Sequence, residues 1–324
     1  MNDTRNRLAV IAIGGNSLIR AKDKQSVTDQ YEAICRTVCH IADVVESGRQ
    51  VCVTHGNGPQ VGFILLRSEL ARRQAGLHPV PLVSCVADSQ GAIGWQIQQA
   101  LANELRARGL GGGSRGQVVS LVTQVVVDAD DPGFGNPTKF VGEFYAESEV
   151  PALRAQNPQW VLKADANRGW RRVVPSPLPR RIVEIDAIRA LLAAGFNLVA
   201  AGGGGIPVVA DEAGGLRGVD AVIDKDLASS LLANRLGADT LVISTAVEKV
   251  CIDFGTPSQR ELSRVTAAEM RAHLAAGQFP EGSMGPKVKA ALDFLANGGE
   301  RVIITTPENL KNAMADGGGT QVVN

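Results

Sequence analysis

An unbroken apolar run, Leu8–Ile13, stops at Gly14-Gly15, and the next apolar positions, Tyr31, Ile34, Cys35, Val38, Ile41, Ala42 and Val45, recur at helical spacing. That reads as strand, tight turn, helix. The order repeats at once: Gly48 marks the end of this helix, residues 50–53 form a strand, His55-Gly56-Asn57-Gly58-Pro59 turns, and a helix runs toward Arg73. A long helix is predicted over 84–108, and further strands over 118–127, 197–201, 240–244 and 301–305. Such alternation predicts an α/β protein with a mostly parallel sheet covered by helices on both faces. Sheets of this kind bind ligands beyond the carboxyl ends of their strands, which is where the glycine turns fall.

Residues 128–180 break the rhythm with Asp128-Ala129-Asp130-Asp131-Pro132-Gly133, several prolines, and a 160–174 stretch patterned as a β-hairpin around Asn167-Arg168-Gly169. We expect one domain over 1–324, with 128–180 as a protruding lid. Gly111-Gly112-Gly113-Ser114 reads as a surface loop, because strands flank it on either side. Apolar residues at 44% and charged residues at 20% are ordinary globular usage, which excludes a disordered chain or a coiled coil.

Lysine plus arginine equals aspartate plus glutamate at 33 each, so no overall field draws the chain to nucleic acid or to an anionic membrane surface. Any anion must be recognised locally. The longest apolar stretch, 196–210, is interrupted by Gly202 to Gly205 and Pro207, and Leu8–Ile13 is too short for a signal peptide. Cys35, Cys39, Cys52, Cys85 and Cys251 are scattered and odd in number, as expected of reduced thiols in a cytoplasmic protein.

Three glycine clusters directly follow predicted strands: Gly14-Gly15, Gly56-Asn57-Gly58, and Gly202 to Gly205. Glycine lets a backbone approach an anion closely, and the amides of a helix N-terminus present donors to phosphate. One such turn is commonly structural; three at the strand ends of one sheet point to phosphate. No Gly-x-x-x-x-Gly-Lys-Ser/Thr motif occurs, and Gly56 to Gly62 has the wrong spacing for Gly-x-Gly-x-x-Gly. Phosphoryl transfer needs mainly positioning and charge neutralisation, which lysines supply.

Three lysines stand in unusual settings: Lys139 in Asn136-Pro137-Thr138-Lys139-Phe140, Lys225 in Ile223-Asp224-Lys225-Asp226-Leu227, and Lys287 in Gly285-Pro286-Lys287. Most lysines are solvated surface charge, but Lys225 and Lys287 each open a predicted helix behind aspartate, glycine or proline. Asp226 either orients these lysines, helps place a magnesium ion, or merely caps the helix; Asp224 has the same capping reading. Cys35, Cys39 and His40 lack a second ligand pair, so no resident metal site is expected. His55 borders a glycine turn and is a minor candidate for substrate contact.

The segments Ile13-Gly14-Gly15-Asn16, Thr54 through Gly62, Pro137-Thr138-Lys139, Arg171 through Pro177, Ala201 through Pro207, Ala221 through Ala228 and Gly282 through Val288 together resemble the carbamate kinases of the amino acid kinase family. The resemblance runs over nearly the whole chain. It implies a three-layer α/β/α sandwich with a mostly parallel open sheet, a small subdomain over the active site, and a homodimer. It also implies reversible transfer between ATP and carbamate, with Mg2+ accompanying ATP or ADP, carbamoyl phosphate bound by the amino-terminal half and nucleotide by the carboxyl-terminal half.

Carried over by position, Gly14, Gly15, Asn16, Gly56, Asn57 and Gly58 cradle the phosphoryl and carbamoyl groups, and Gly203 and Gly204 line the phosphates. Lys139 grips substrate phosphate, Lys225 and Lys287 stabilise the charge in transfer, Asp226 fixes their geometry, and Met284 joins Lys225 and Lys287 at the nucleotide. Two departures stand out: Phe140 replaces a proline common in relatives, and 244–249 lacks aspartates that some members carry. Acetylglutamate, uridylate and aspartate kinases share parts of the pattern, and a sensor that has lost turnover is the alternative outside the enzyme class.

Overall fold

The computed structural model describes residues 7–15, 18, 26–165 and 169–324. Its main sheet has eight strands in the order Arg264–Thr266, Thr320–Val323, Arg301–Thr305, Thr240–Ser244, Leu8–Ile13, Gln50–His55, Asn197–Val199, Val118–Ser120. Neighbours pair parallel throughout except Arg301–Thr305 with Thr320–Val323. Leu8–Ile13 is central and every residue in it is buried, which is why it reads as a continuous apolar run without alternation.

Successive residues of the central strands enter opposite cores. Leu8, Val10, Leu241, Ile243, Val302 and Ile304 join a cluster with Ala228, Leu232, Val288 and Phe294, whereas Ala9, Ile11, Ile13, Val242 and Ile303 pack with Ile34, Ile41, Ile93 and Leu101. Helices Lys225–Leu236 and Met284–Ala296 thus cover one face, and Val27–Glu46 and Leu82–Ala107 the other. This is the three-layer sandwich expected of the pattern. Helix Val27–Glu46 starts at a capping box: the Asp29 amide donates to Ser26 Oγ at 3.1 Å, and the Ser26 amide to Asp29 Oδ2 at 3.1 Å.

The strand expected over 118–127 is instead two. Val118–Ser120 stays in the main sheet, while Gln124–Val126 belongs to a four-stranded sheet with Leu216–Gly218, Ile206–Ala210 and Arg181–Ile182. The buried Gln90 side chain causes the break by holding Thr123, accepting from its amide at 2.8 Å and donating to its carbonyl at 3.0 Å. An apolar run cannot reveal that a side chain 33 residues away has taken over its backbone pairing.

Within 128–180 lies a separate antiparallel sheet of Lys139–Tyr145, Trp170–Val174 and Val161–Ala164, with helix Val150–Gln156 beside it. The hairpin expected over 160–174 is present as its last two strands; its proposed tip residues Asn167 and Arg168, like Asn16, lie outside the described residues. The small sheet meets the sandwich where Gly142 faces Gly62 of helix Gln60–Ala75. A β-carbon on Gly62 would stand 2.9 Å from Gly142 Cα, so glycine permits this seat. All five cysteines are free, and burial pushes the Cys52 thiol up to about 12. Among the described residues, no helix is long and apolar enough to cross a membrane.

Candidate active site

Three turns emerge side by side from the carboxyl ends of neighbouring strands: Gly14-Gly15 after Leu8–Ile13, Gly56-Asn57-Gly58 after Gln50–His55, and Gly202 to Gly205 after Asn197–Val199. The last is left-handed at Gly203, φ +66°, where a β-carbon would collide with the Asn57 amide. The Asn57 Nδ2 donor is buried and has no hydrogen-bond partner among the described residues. A buried donor left unpaired costs free energy unless something supplies an acceptor, and the side chain lines a cavity.

Helix Lys225–Leu236 brings its first turn to these loops. Asp224 caps it, with Oδ1 accepting from the Asp226 amide at 2.9 Å and the Leu227 amide at 3.4 Å. The helix is tied to the glycine strand by Thr54 Oγ1 and Ser229 Oγ at 2.6 Å, and the Lys225 stem lies against Gly56. Lys225 Nζ donates to Asp226 Oδ1 at 2.7 Å. Lys287, in the first turn of Met284–Ala296, donates to the other oxygen, Oδ2, at 3.2 Å. Both Asp226 oxygens therefore face lysines, which favours its reading as the residue that orients them.

Burial works to raise the Asp226 carboxyl, which is 3% exposed, but the charges of Lys225 and Lys287 outweigh it and hold the group at about 2. Lys139 arrives from the small sheet, its Nζ 2.8 Å from Asp224 Oδ2. All three lysines line one cavity of about 230 Å³ together with Gly15, Gly56, Asn57, Gly58 and Gly203. Of the remaining expected site residues, Gly14 and Gly204 sit just behind that wall, with Gly14 against the Ser244 carbonyl and Gly204 against that of Ile223. Met284 opens its helix and packs partly buried against the core.

Sequence reasoning missed Arg171, which lines the same cavity. Its guanidinium donates to Asp165 Oδ2 and the Gly142 carbonyl, each at 3.1 Å, and lies over the Phe144 and Phe140 rings at 4.8 and 5.6 Å. Strand alternation separates it from Arg172, which faces a larger cavity of about 600 Å³ between the small sheet and helix Gln60–Ala75. Size does not mark the site here, because that larger space contains none of the three lysines.

His55 is buried with Nδ1 2.8 Å from the Gly56 carbonyl, and its ring fills the space beside Gly202. Burial pushes its pKa down to about 4 against the Gly56 hydrogen bond, and the Lys225 charge adds to the lowering, so at neutral pH the ring is an uncharged packing element. Because the unfolded chain protonates this histidine near 6.5, its contribution to stability is whole above that pH and is lost as pH falls toward 4. The expected size is about 3 kcal/mol. Urea unfolding of the wild type and His55→Gln at pH 7, 5.5 and 4.5 checks this: the gap between them should narrow on acidification, and a constant gap would disprove it.

A lysine-lined cleft at the strand ends of an α/β/α sandwich, walled by glycine turns, defines a protein built to hold phosphoryl groups. The model of the amino acid kinase family matches residues 7–306. Similar over nearly their full lengths are "Carbamate kinase-like protein YahI" of Escherichia coli (strain K12), 50% identical over 98% of both chains, and the carbamate kinase of Pyrococcus horikoshii, 46% identical over 97% of this chain and 98% of the other. Among solved structures, carbamate kinase from Giardia lamblia bound to AMP-PNP superposes with a TM-score of 0.90 at 40% identity, over 98% of both chains. The chain belongs to the amino acid kinase family, among its carbamate kinases.

Proposed function

We propose that the chain catalyses reversible phosphoryl transfer between ATP and carbamate. The observation that carries this is the convergence of Lys139, Lys225 and Lys287 on one cavity walled by glycine turns, with Asp226 holding two of them. A β-phosphate oxygen of ADP attacks phosphorus in line, the bond to the carbamate oxygen breaks, and carbamate leaves with that electron pair. Lys225 and Lys287 neutralise the charge spread over the moving group, and Lys139 holds the substrate phosphate. Asn57 Nδ2, with Gly15, Gly56 and Gly58 around it, receives the carbamoyl moiety; Gly203 and Met284 stand toward the nucleotide.

Magnesium bound to ADP or ATP would draw charge from the nucleotide phosphates. Among the described residues no group of three His, Cys, Asp or Glu side chains is placed to hold a metal ion. The small sheet of 139–174 serves as the lid, the amino-terminal half binds carbamoyl phosphate and the carboxyl-terminal half nucleotide. The enzyme works as a cytoplasmic homodimer and runs toward ATP. Incubation with ADP, magnesium and carbamoyl phosphate should yield ATP, with acetyl phosphate a poorer donor. Nucleotide binding without ATP formation would instead favour another acceptor or a sensor.

A further inference from the structure

Each lysine of the cavity is tied to a carboxylate at the same helix end. Lys225 and Lys287 share Asp226, whereas Lys139, the one lysine contributed by the small sheet, is held by Asp224. The two Asp224 oxygens have separate duties: Oδ1 caps the helix and Oδ2 takes the ammonium. We propose that Asp224 is the positioning residue for Lys139, fixing its ammonium at the cavity so that donors remain for the substrate's phosphoryl oxygens.

Three features support a built contact over a chance surface pair. An ammonium has three N–H donors, and Asp224 is the one hydrogen-bond partner found for the Lys139 ammonium among the described residues, so two stay available. The pair is also partly shielded, with side-chain exposures of 34% for Lys139 and 17% for Asp224. Finally, the backbone on both sides is anchored. Lys163 Nζ donates to the Pro137 carbonyl at 2.7 Å just before Lys139, Lys139 pairs with Val174 in the small sheet, and the Val222 amide donates to the Pro175 carbonyl at 2.9 Å two residues before Asp224. A lysine stem has four rotatable carbons, and holding it in advance spares the substrate the cost of ordering it.

This proposal rests on the role given to Lys139 above, and Asp224→Asn isolates it. Asparagine caps a helix about as well as aspartate, so the helix start and Lys225 keep their places while the charge facing Lys139 disappears. In ATP formation, KM for carbamoyl phosphate should rise about tenfold with KM for ADP little changed, the loss of one charge-assisted hydrogen bond. In a Lys139→Ala background the same substitution should add nothing. A parallel rise in both KM values, or losses that simply add, would overturn the proposal and leave Asp224 as a cap.

Hydrogen exchange of residues 139–145 and 170–174, measured without added substrates, needs no turnover and should quicken in Asp224→Asn. Should the wild type make no ATP, the functional reading fails and this measurement alone decides; unchanged exchange then overturns the positioning role.

Discussion

Lys225→Ala is expected to slow ATP formation from carbamoyl phosphate and ADP by about a thousandfold, while ADP affinity changes by about tenfold or less. Lys225 stands in the first helical turn beside Gly56 and is held by Asp226, so in the proposed reaction its ammonium is already in place for the phosphoryl group. A fixed donor in a secluded site acts most strongly where charge moves, hence on the rate more than on binding. Truncation leaves Asp226 with Lys287 as its remaining lysine partner. Steady-state rates alongside calorimetric ADP titration of the same preparation make the comparison. Equal losses in rate and affinity would show that Lys225 only binds nucleotide, and an unchanged rate would remove it from the chemistry.

Asp226→Asn should be damaging in a different way. It removes the negative charge between two lysines whose side chains are 13% and 17% exposed, leaving like charges facing each other in a shielded place. Breaking a buried ion pair from one side costs about 3 kcal/mol or more, and turnover should fall at least about a hundredfold as both ammonium groups lose their aim. The acid dependence has a definite sign. Because the lysines hold the folded carboxyl at about 2, below its ordinary 3.8, the stabilisation is whole above about 4 and lost as pH falls through 2. Urea midpoints of wild type and variant should therefore differ widely at pH 7, still differ at pH 4, and converge near pH 2. A gap that persisted there would mean that the aspartate's shape, and not its charge, matters.

Much of the framework was legible because it follows from local rules. Leu8–Ile13, Thr240–Ser244 and Arg301–Thr305 have the bounds expected from their apolar runs, since each is a strand buried on both sides and ended by a polar or glycine residue. Helix Leu82–Ala107 differs from its expected span by a residue or two at each end, where Pro81 precedes it. The strands Leu216–Gly218, Arg260–Leu262 and Arg264–Thr266 were not legible. They are three residues long and largely exposed, without an apolar run to mark them; the first two exist through hairpin pairing with Ile206–Ala210 and Val250–Ile252, and the third through pairing with the distant Thr320–Val323.

The site divides along the same line. Residue type and helix position mark Lys225, Asp226 and Lys287 in the sequence alone, because aspartate just before a helix and proline in its first turn are local signals of a helix N-terminus, which faces anions. Nothing local marks Arg171, whose place at the cavity depends on strand register within the small sheet, or joins Lys139 to Asp224 across eighty-five residues. His55 shows the limit from the other direction: beside a glycine turn it looks available for chemistry, and only its burial in the folded chain, with the Lys225 charge adding to it, makes it a neutral core residue. The sequence by itself determined the alternation of strands and helices, the glycine turns and the family, all short-range patterns. Which charges meet, and which of them water still reaches, were decided by tertiary structure, because ion pairing and desolvation depend on distances that arise only when remote segments pack.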